Sequence, residues 1–508
     1  MKTPILGSTY VARSVNAADS RMVNMFPEII PEGGKEPAFL NRAPGLKFQV
    51  SVGDGPIRGL WVLGTNLYVV SRDKLYKVSP DYTVTTIGTV AGASGPVSMA
   101  DNGIQLFVAC NGPSYIYNSQ TNVFAEITDS DFRGAVTVAY LDGYFVFNEP
   151  NSQKIWVTAL LDGTSVDPLD FASAEGSPDG VVGVIADHRE IWVFGTNSVE
   201  VWYNSGNADF PLSRIQGAFN ELGCVAPYSI AKMDNGLFWL GQDARGQGIV
   251  YRANGYTGQR ISTHAVEWQI QQYTNMSDAI GYTYQQDGHS FYVLIFPNAN
   301  TTWVYDVATQ AWHERAGFEN GQFTRHRSNC QAFFQGSVLV GDYQNANIYA
   351  FDLDDYSDNG SIQKWLRSWR ALPTGQNNLK RTAQHSLQLD LETGVGLNGL
   401  LQTDIDYLVT EDNQYLITED GEYIVSDLIF TRGSDPQVML RWSDDGGHTW
   451  SNEHWVSIGK IGEFYRRAIW RRLGMTMKIR DRVYEVSGTD PVKIAIVGAE
   501  LLVSPTNA

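Results

Sequence analysis

The sequence predicts an all-β protein: a β-propeller of about seven blades, then a C-terminal β-sandwich-like domain with a short β-meander inserted in it. Three observations carry this reading. An aromatic–aliphatic strand signal recurs seven times between Leu60 and Phe351, at start-to-start spacings of 44, 39, 48, 46, 54 and 42 residues. A period in the forties with several strands per unit is that of a propeller. The chain holds 49 Gly in 508 residues, which suits many tight turns rather than long helices. Beyond residue 375 the pattern changes to longer strands of alternating polarity.

Taken in order, residues 1–50 read as an extended N-terminal arm. Pro4, Pro27, Pro31, Pro37 and Pro44 each remove a backbone donor and discourage helix. Met22, Val23, Met25, Phe26, Ile29, Ile30, Phe39 and Leu40 make the arm too apolar for a disordered tail, so it is expected to pack against its own chain or a neighbour. Residues 51–353 carry the propeller. The first unit is expected as strands Leu60–Val70 and Lys74–Val78 with a polar edge strand Val84–Val90. Gly64-Thr65-Asn66 and Gly195-Thr196-Asn197 mark tight turns, since Gly and Asn tolerate positive φ. Seven signals give seven blades, or six if the last only closes the ring.

Residues 354–374 read as a linker, opened by the acidic run Asp352–Gly360 and containing a short helix around Trp365-Leu366-Arg367. The acidic run loosely resembles a calcium loop, but Tyr356 holds a ligand position and Gln363 stands where the bidentate Glu belongs, so a solvated linker is preferred. Residues 375–508 form the C-terminal β domain, with strands expected at Ser386–Leu391, Val438–Trp442, Trp455–Ile458, Met475–Ile479, Val483–Val486 and Val492–Val497. An octapeptide repeat starting at Tyr407, Tyr415 and Tyr423 is read as a small meander at about 405–430. So few short strands are marginal alone, so neighbouring subunits or a partner are expected to hold it.

Charge excludes one class of function. The balance of 37 Lys+Arg against 55 Asp+Glu gives −18, which repels phosphate backbones and argues against DNA wrapping. A conduit along which DNA slides without sticking is compatible with it. Cys110, Cys224 and Cys330 are far apart and read as small buried hydrophobes. Met1-Lys2-Thr3-Pro4 leads into polar sequence, and no apolar run approaches the roughly 18 residues of a membrane helix. Production in a cytoplasm is expected, with no membrane insertion.

Few motifs carry chemistry. Ser443-Asp444-Asp445-Gly446-Gly447-His448-Thr449-Trp450 matches the Asp-box turn of sialidase propellers. In that turn an Asp carboxylate accepts turn amides over a Trp, so Ser443, Asp445, Gly447, Thr449 and Trp450 are assigned as a structural turn without a catalytic group. It occurs once and outside the propeller, whereas sialidases repeat it between blades. Gly394-Val-Gly396-Leu-Asn-Gly399 matches a dinucleotide fingerprint, but the following sequence leaves no room for the helix that must receive pyrophosphate. The eight histidines show no metal spacing. Arg325-His326-Arg327 is read as a phosphate contact or an inter-subunit salt bridge. No catalytic residue, metal or cofactor is assigned. Arg466, Arg467, Trp470, Arg471 and Arg472 form the one dense basic patch. It is read either as a contact with DNA or an acidic partner, or as arginines pairing with the chain's own acids.

The two ends resemble a known family. Asn16–Glu28 with Leu40-Asn-Arg-Ala-Pro-Gly45, and Arg441–Trp450, Trp470–Gly474 and Asp490–Glu500, are similar to the packaged-DNA stabilisation proteins of short-tailed bacteriophages, their tail hub or nozzle subunits. The resemblance implies a structural, non-enzymatic virion protein of the tail, made in the host cytoplasm. It implies a hexameric ring below the head-to-tail adaptor that receives the plugging tail needle and neighbours the tailspike. Such a ring retains packaged double-stranded DNA and later forms its ejection channel. The competing reading from a different class is an Asp-box glycan-hydrolysing or glycan-binding propeller.

Overall fold

The computed structural model describes the chain apart from residues 15–17, 175, 177–178, 208–209, 244–245, 374, 376–380, 398–404, 408–409, 411–413, 415–416, 419–424, 429–431, 477–480 and 507–508. The protein is all-β. Among the described residues, the helical segments are the α-helix His264–Gln271 and the 3-10 turn Pro227–Ser229. The chain divides into two compact units: one of Thr9–Arg13 and Leu46–Asp352, the other of Met1–Ser8, Ser14–Gly45 and Leu353–Ala508.

Among the described residues, the first unit contains seven antiparallel blades in chain order, with a separate hairpin of Ala316–Glu319 and Gln322–Arg325 between the sixth and the seventh. Blade 1 pairs Ile57–Leu63, Asn66–Ser71, Lys74–Val78 and Val84–Thr89. The expected single strand Leu60–Val70 is two strands, because Gly64 takes φ +63 and turns the chain. Blade 7 joins Ser328–Phe334, Ser337–Asp342 and Asn347–Asp352 to Gly45–Ser51, so an N-terminal strand completes the last blade. Each recurring signal falls on a central strand, such as Gln105–Ala109, Tyr144–Asn148 or His289–Phe296. Apolar clusters fill successive spaces between blades, so central strands are buried on both faces. That is why they read as continuous apolar runs rather than as alternation. Outer strands such as Val84–Thr89 and Val123–Glu126 are largely exposed.

Between blades 6 and 7 the packing is partly polar. The Tyr282 and Ser328 hydroxyls lie 2.7 Å apart, and Ser328 Oγ lies 2.7 Å from His326 Nδ1. Arg315 donates to Tyr284 Oη at 2.9 Å. Burial, reinforced by Arg315 and Arg327, pushes His326 down to about 3. His313 is held well below its ordinary value by burial, Arg315 and His289. Both imidazoles are therefore neutral in the fold, while the unfolded chain takes up protons below the ordinary value of 6.5. Stability should be full above that value and fall as the pH drops from it toward the folded value. The loss is up to about 1.4 kcal/mol per histidine for each pH unit. Denaturant midpoints compared on the two sides of 6.5 check this, and His326→Asn should lower the slope.

Among the described residues, the second unit is a sandwich built on two large antiparallel sheets. One has the order Met25–Ile29, Ala38–Arg42, Ala495–Pro505, Thr382–Leu391, Ala468–Arg471. The other runs Met22–Val23, Trp365–Arg370, Val483–Gly488, Gln437–Ser443, His454–Ser457. Met22, Met25, Leu40, Trp365, Trp369, Leu440, Val486 and Ile496 share the core between them. The arm expected over residues 1–50 is thus built into both sheets of its own chain. The short helix expected at Trp365-Leu366-Arg367 is a central strand. Two tryptophans four apart suit one face of a helix and one face of a strand equally, and flanking strands with complementary donors decide it. Of the repeat, Ile405–Tyr407 pairs with Val425–Leu428, and Thr410 and Gln414 close a turn. Most of the other two copies lies outside the described residues, as does most of the strand expected at Met475–Ile479.

One side chain fastens this unit. Arg42 is 3% exposed. It donates to Gln363 Oε1 at 3.2 Å and to the carbonyls of Gln363, Val492 and Tyr356 at 2.6, 2.9 and 3.0 Å, and to that of Asp490. Burial pulls its guanidinium down to about 9, against the pull of Asp358. Gln363 in turn donates to the carbonyl of Pro44 at 3.0 Å. The segment expected as a solvated linker therefore closes over the arm, with Asp358 and Gln363 buried. An arginine's five donors need this many acceptors when water is excluded.

Candidate functional site

The turn Ser443–Trp450 is built as a closed hydrogen-bond cage. Asp445 Oδ1 accepts from Ser443 Oγ at 2.6 Å, from His448 N at 3.0 Å and from Thr449 N at 2.8 Å, while Oδ2 accepts from Thr449 Oγ1 at 2.6 Å. Gly447 N donates to Ser443 Oγ at 2.8 Å, and Gly446 and Gly447 supply the positive φ values. Trp450 lies under the Arg441 guanidinium, 4.8 Å from the ring centroid. The carboxylate's acceptor sites are filled by the turn itself, so the arrangement positions backbone and offers no nucleophile or acid. The hydroxyls and amides hold the Asp445 carboxyl well below its ordinary value of 3.8. Its contribution is present above that value and lost as the pH falls below it. Asp445→Ala should cost about 1 kcal/mol, modest because the site meets solvent. A shifted unfolding midpoint at neutral pH that vanishes in strong acid checks it.

The basic patch is split by its strand. Ala468 and Trp470 point into the core, 1% and 6% exposed, and Trp470 Nε1 donates to the carbonyl of His454 at 2.8 Å. Trp470 is therefore a core residue and not an interface anchor, because side chains alternate along Ala468–Arg471. Arg466, Arg467, Arg471 and Arg472 are exposed. Arg466 pairs with Glu463 at 2.8 Å and Arg467 donates to Gln388. No ion pair forms on Arg471 or Arg472 among the described residues.

Arg325-His326-Arg327 is turned inward. Arg325 stacks on Tyr343 at 3.4 Å, His326 is 2% exposed, and Arg327 pairs with Glu319 and Asp342 at 3.3 and 3.5 Å. These partners come from their own chain, so neither phosphate nor a second subunit is needed to explain them. Gly394 and Gly396 pack against Glu463–Phe464 and Lys460–Ile461, too closely for a Cβ, in a loop, while Gly399 lies outside the described residues. Among the described residues, no group of three or more His, Cys, Asp or Glu could hold a metal. Burial raises the thiols of Cys110, Cys224 and Cys330 to about 11, 12 and 12, which keeps them protonated and unreactive.

The propeller's centre is a cavity of about 630 Å³ lined from all seven blades, by Arg58, Trp61, Asp101, Tyr140, Tyr228 and Lys232 among others. Arg58 is spent on the carbonyls of Arg72, Ala91, Gly92 and Gly95, at 2.8 to 3.0 Å. It is therefore a structural plug rather than an anion receptor. The residues that sequence reasoning did not single out are Arg42 and two exposed apolar loops, at Leu160–Leu169 and Ile461–Tyr465. The sequence signal for such loops would be large apolar residues inside turn-rich segments that follow no strand or helix period.

Comparison with known proteins agrees with this architecture. The tail hub protein gp10 of Salmonella phage P22 is 26% identical over 316 residues, which cover 59% of this chain and 65% of that protein. The match thus spans slightly under two thirds of that relative's length. A chain of the mitotic checkpoint complex is similar at 13% identity over 64% of this chain and 99% of that chain, with a TM-score of 0.40. The WD40 β-propeller domain of Doa1 is similar at 13% identity over 61% and 97%, with a TM-score of 0.40. These two likenesses are too slight to carry an argument. The family model described as bacteriophage P22 Gp10, beta-propeller, matches residues 1–356, and that described as bacteriophage P22 Gp10, beta-sandwich, matches residues 370–504. With both models matched in order along most of its length, the chain belongs to the bacteriophage P22 Gp10 family.

Proposed function

We propose that this chain is a structural, non-catalytic protein of a phage tail, in the place of the tail hub. In that place it forms a ring of identical copies, in the hexameric arrangement the sequence resemblance implies. The ring lies below the head-to-tail adaptor, meets the tail needle and the tailspike, retains packaged DNA and forms the channel by which DNA leaves. The observation that carries the reading is the succession of the two Gp10 family matches along one chain. Two physical features support it. The balance of −18 suits a conduit, since attractive contacts with the phosphate backbone would slow passage. Asp445, Arg42 and Arg58 are engaged in structural bonds, which suits a non-catalytic part.

The test is cryo-electron microscopy of the assembled tail, together with particles lacking the protein. The expected result is density for this chain in a ring between adaptor and needle, and heads that fill with DNA but lose it when the protein is missing. Stable, infectious particles without the protein would overturn the reading. The channel wall is expected to be net negative, and a wall dominated by Arg and Lys would contradict the conduit argument. The glycan reading predicts turnover of sialosides or host polysaccharide by the purified chain. No turnover is expected, because Asp445 is engaged by its own turn.

A further inference from the structure

We propose that the chain binds a second copy of itself head to tail, through an aromatic and basic loop at Ile458–Arg472 and an acidic and apolar loop at Thr158–Asp170. This rests on the reading of the chain as an assembling tail component and names the surfaces that assemble.

The first loop is rigid yet unsatisfied. Gly394 N donates to the carbonyl of Ile458 at 3.0 Å, Gly462 N to that of Gly394 at 3.1 Å, and Thr393 Oγ1 to that of Phe464 at 3.0 Å. Turns at Glu463 and Arg466 close on Lys460 and Glu463. With its backbone fixed, the loop still leaves Ile461, Phe464 and Tyr465 exposed by 62, 74 and 78%. A preformed loop presenting aromatics loses little entropy on binding. From Lys460 to Arg472 it carries Lys460, Arg466, Arg467, Arg471 and Arg472 against the single carboxylate Glu463. Aromatics beside arginines are the composition of binding hot spots.

The second loop has the opposite charge and the same apolar weight. Leu160, Leu161 and Leu169 are exposed by 60, 62 and 76%. The loop is tied down by Ala159 N to Ser165 O at 2.9 Å, Leu161 N to Gly143 O at 2.8 Å and Gly163 N to Gln105 Oε1 at 2.8 Å. Leu161 sits at φ +60, a strained conformation for a branched side chain, so its outward aim is enforced by the fold. Asp162, Asp167 and Asp170 lie in the loop, and Asp129 reaches it by accepting from Val166 N at 3.1 Å. None of these carboxylates has an ion pair among the described residues. Burial and the neighbouring Asp167 raise the Asp170 carboxyl, a crowding of like charge that an arginine from outside would relieve.

A second copy is the occupant that explains both loops. Two chains of −18 repel in a random encounter, and association is favoured only where a basic surface meets an acidic one. An anionic lipid surface would suit the aromatic loop but not its acidic counterpart. Because the two surfaces differ, the contact is heterologous and builds a chain of subunits that closes into a ring when the rotation allows.

Two full-length variants test this. One carries Phe464→Ser, Tyr465→Ser and Arg471→Glu, the other Leu160→Ser, Leu169→Ser and Asp167→Lys. These positions are surface-exposed, so unchanged melting confirms intact folds. In sedimentation at high protein concentration, the unaltered chain should form oligomers that weaken at least about tenfold from low to high salt. Each variant alone should be monomeric, and their equal mixture should give one-to-one dimers and nothing larger. An unaltered chain that stays monomeric, or variants that associate like it, would overturn the proposal. So would variants whose mixture stays monomeric, as expected if the aromatic loop serves residues 398–431 of its own chain. Binding of the unaltered chain to anionic vesicles, lost in the first variant without dimers in the mixture, would assign that loop to lipid instead. Presence of the chain in purified tails is scored separately, so this contact can fail while the tail assignment stands.

Discussion

Removing residues 1–44 is expected to unfold the C-terminal sandwich, although residues 353–508 hold most of its strands. Met22, Val23, Met25 and Leu40 are fully buried and Phe26 is 3% exposed, and they belong to strands in both sheets. At about 1.5–3 kcal/mol for each buried side chain, their loss removes roughly 10 kcal/mol of apolar burial. That matches the whole stability of an ordinary domain, about 5–15 kcal/mol. The truncation also strips hydrogen-bond partners from Trp365–Arg370 and Ala495–Pro505, and takes Thr3 away from Trp369 Nε1, which it meets at 2.8 Å. The propeller unit keeps its Leu46–Ser51 strand and should still melt cooperatively. Hydrogen exchange on the truncated chain checks this: protection should vanish from Val483–Gly488 and persist in His289–Phe296. Restoration on adding a peptide of residues 1–45 is the expected complement, and full protection without the peptide would refute the argument.

Arg42→Ala is the point substitution with the largest expected effect, about 3–5 kcal/mol on the sandwich. The cost comes from leaving the carbonyls of Tyr356, Gln363, Asp490 and Val492 buried without donors, more than from the lost charge. Arg42→Lys should recover little, since three donors on one nitrogen cannot span acceptors that surround a planar fork. In a denaturant titration the sandwich transition should move to lower concentration with both variants, while the propeller transition stays in place. A shift smaller than about 1 kcal/mol for the alanine variant would show that water replaces the guanidinium.

The propeller was legible because its signal is repeated and local. Every central strand faces two neighbours, so each blade writes the same apolar run into the sequence, and His289–Phe296 can be recognised without knowing what it touches. The turn at Asp445 was legible for the same reason, since its partners lie within four residues. The sandwich was only partly legible. Its strands alternate, but Met22–Val23 pairs with Leu366–Arg367, more than 340 residues away, and nothing in either segment names the other. The apolar content of the first fifty residues shows that they pack, not where. Trp365 and Trp369 have a spacing that both regular structures accept, and Trp470 among arginines looks exposed until its pairing with Leu387 fixes which face it takes. Leu161 and Tyr465 had no periodic signal, and only their place in turn-rich segments that follow no strand or helix period could have marked them.

The pairing of Ala38–Arg42 with Ala495–Pro505 also sets a schedule for synthesis. About 450 residues separate Arg42 from Ala495, so a ribosome adding roughly 5–20 residues per second needs on the order of half a minute to cover them. Met22 and Val23 wait for Trp365–Arg370, and the hairpin of Met25–Ile29 with Ala38–Arg42 waits for Ala495–Pro505, while the propeller can already close on Gly45–Ser51. A transcript broken late in the gene would release a finished propeller trailing a sticky leader. Only a ribosome that has made Ala495–Pro505 yields a chain whose N-terminal strands are all buried, which couples burial of the arm to synthesis of a strand far along the chain.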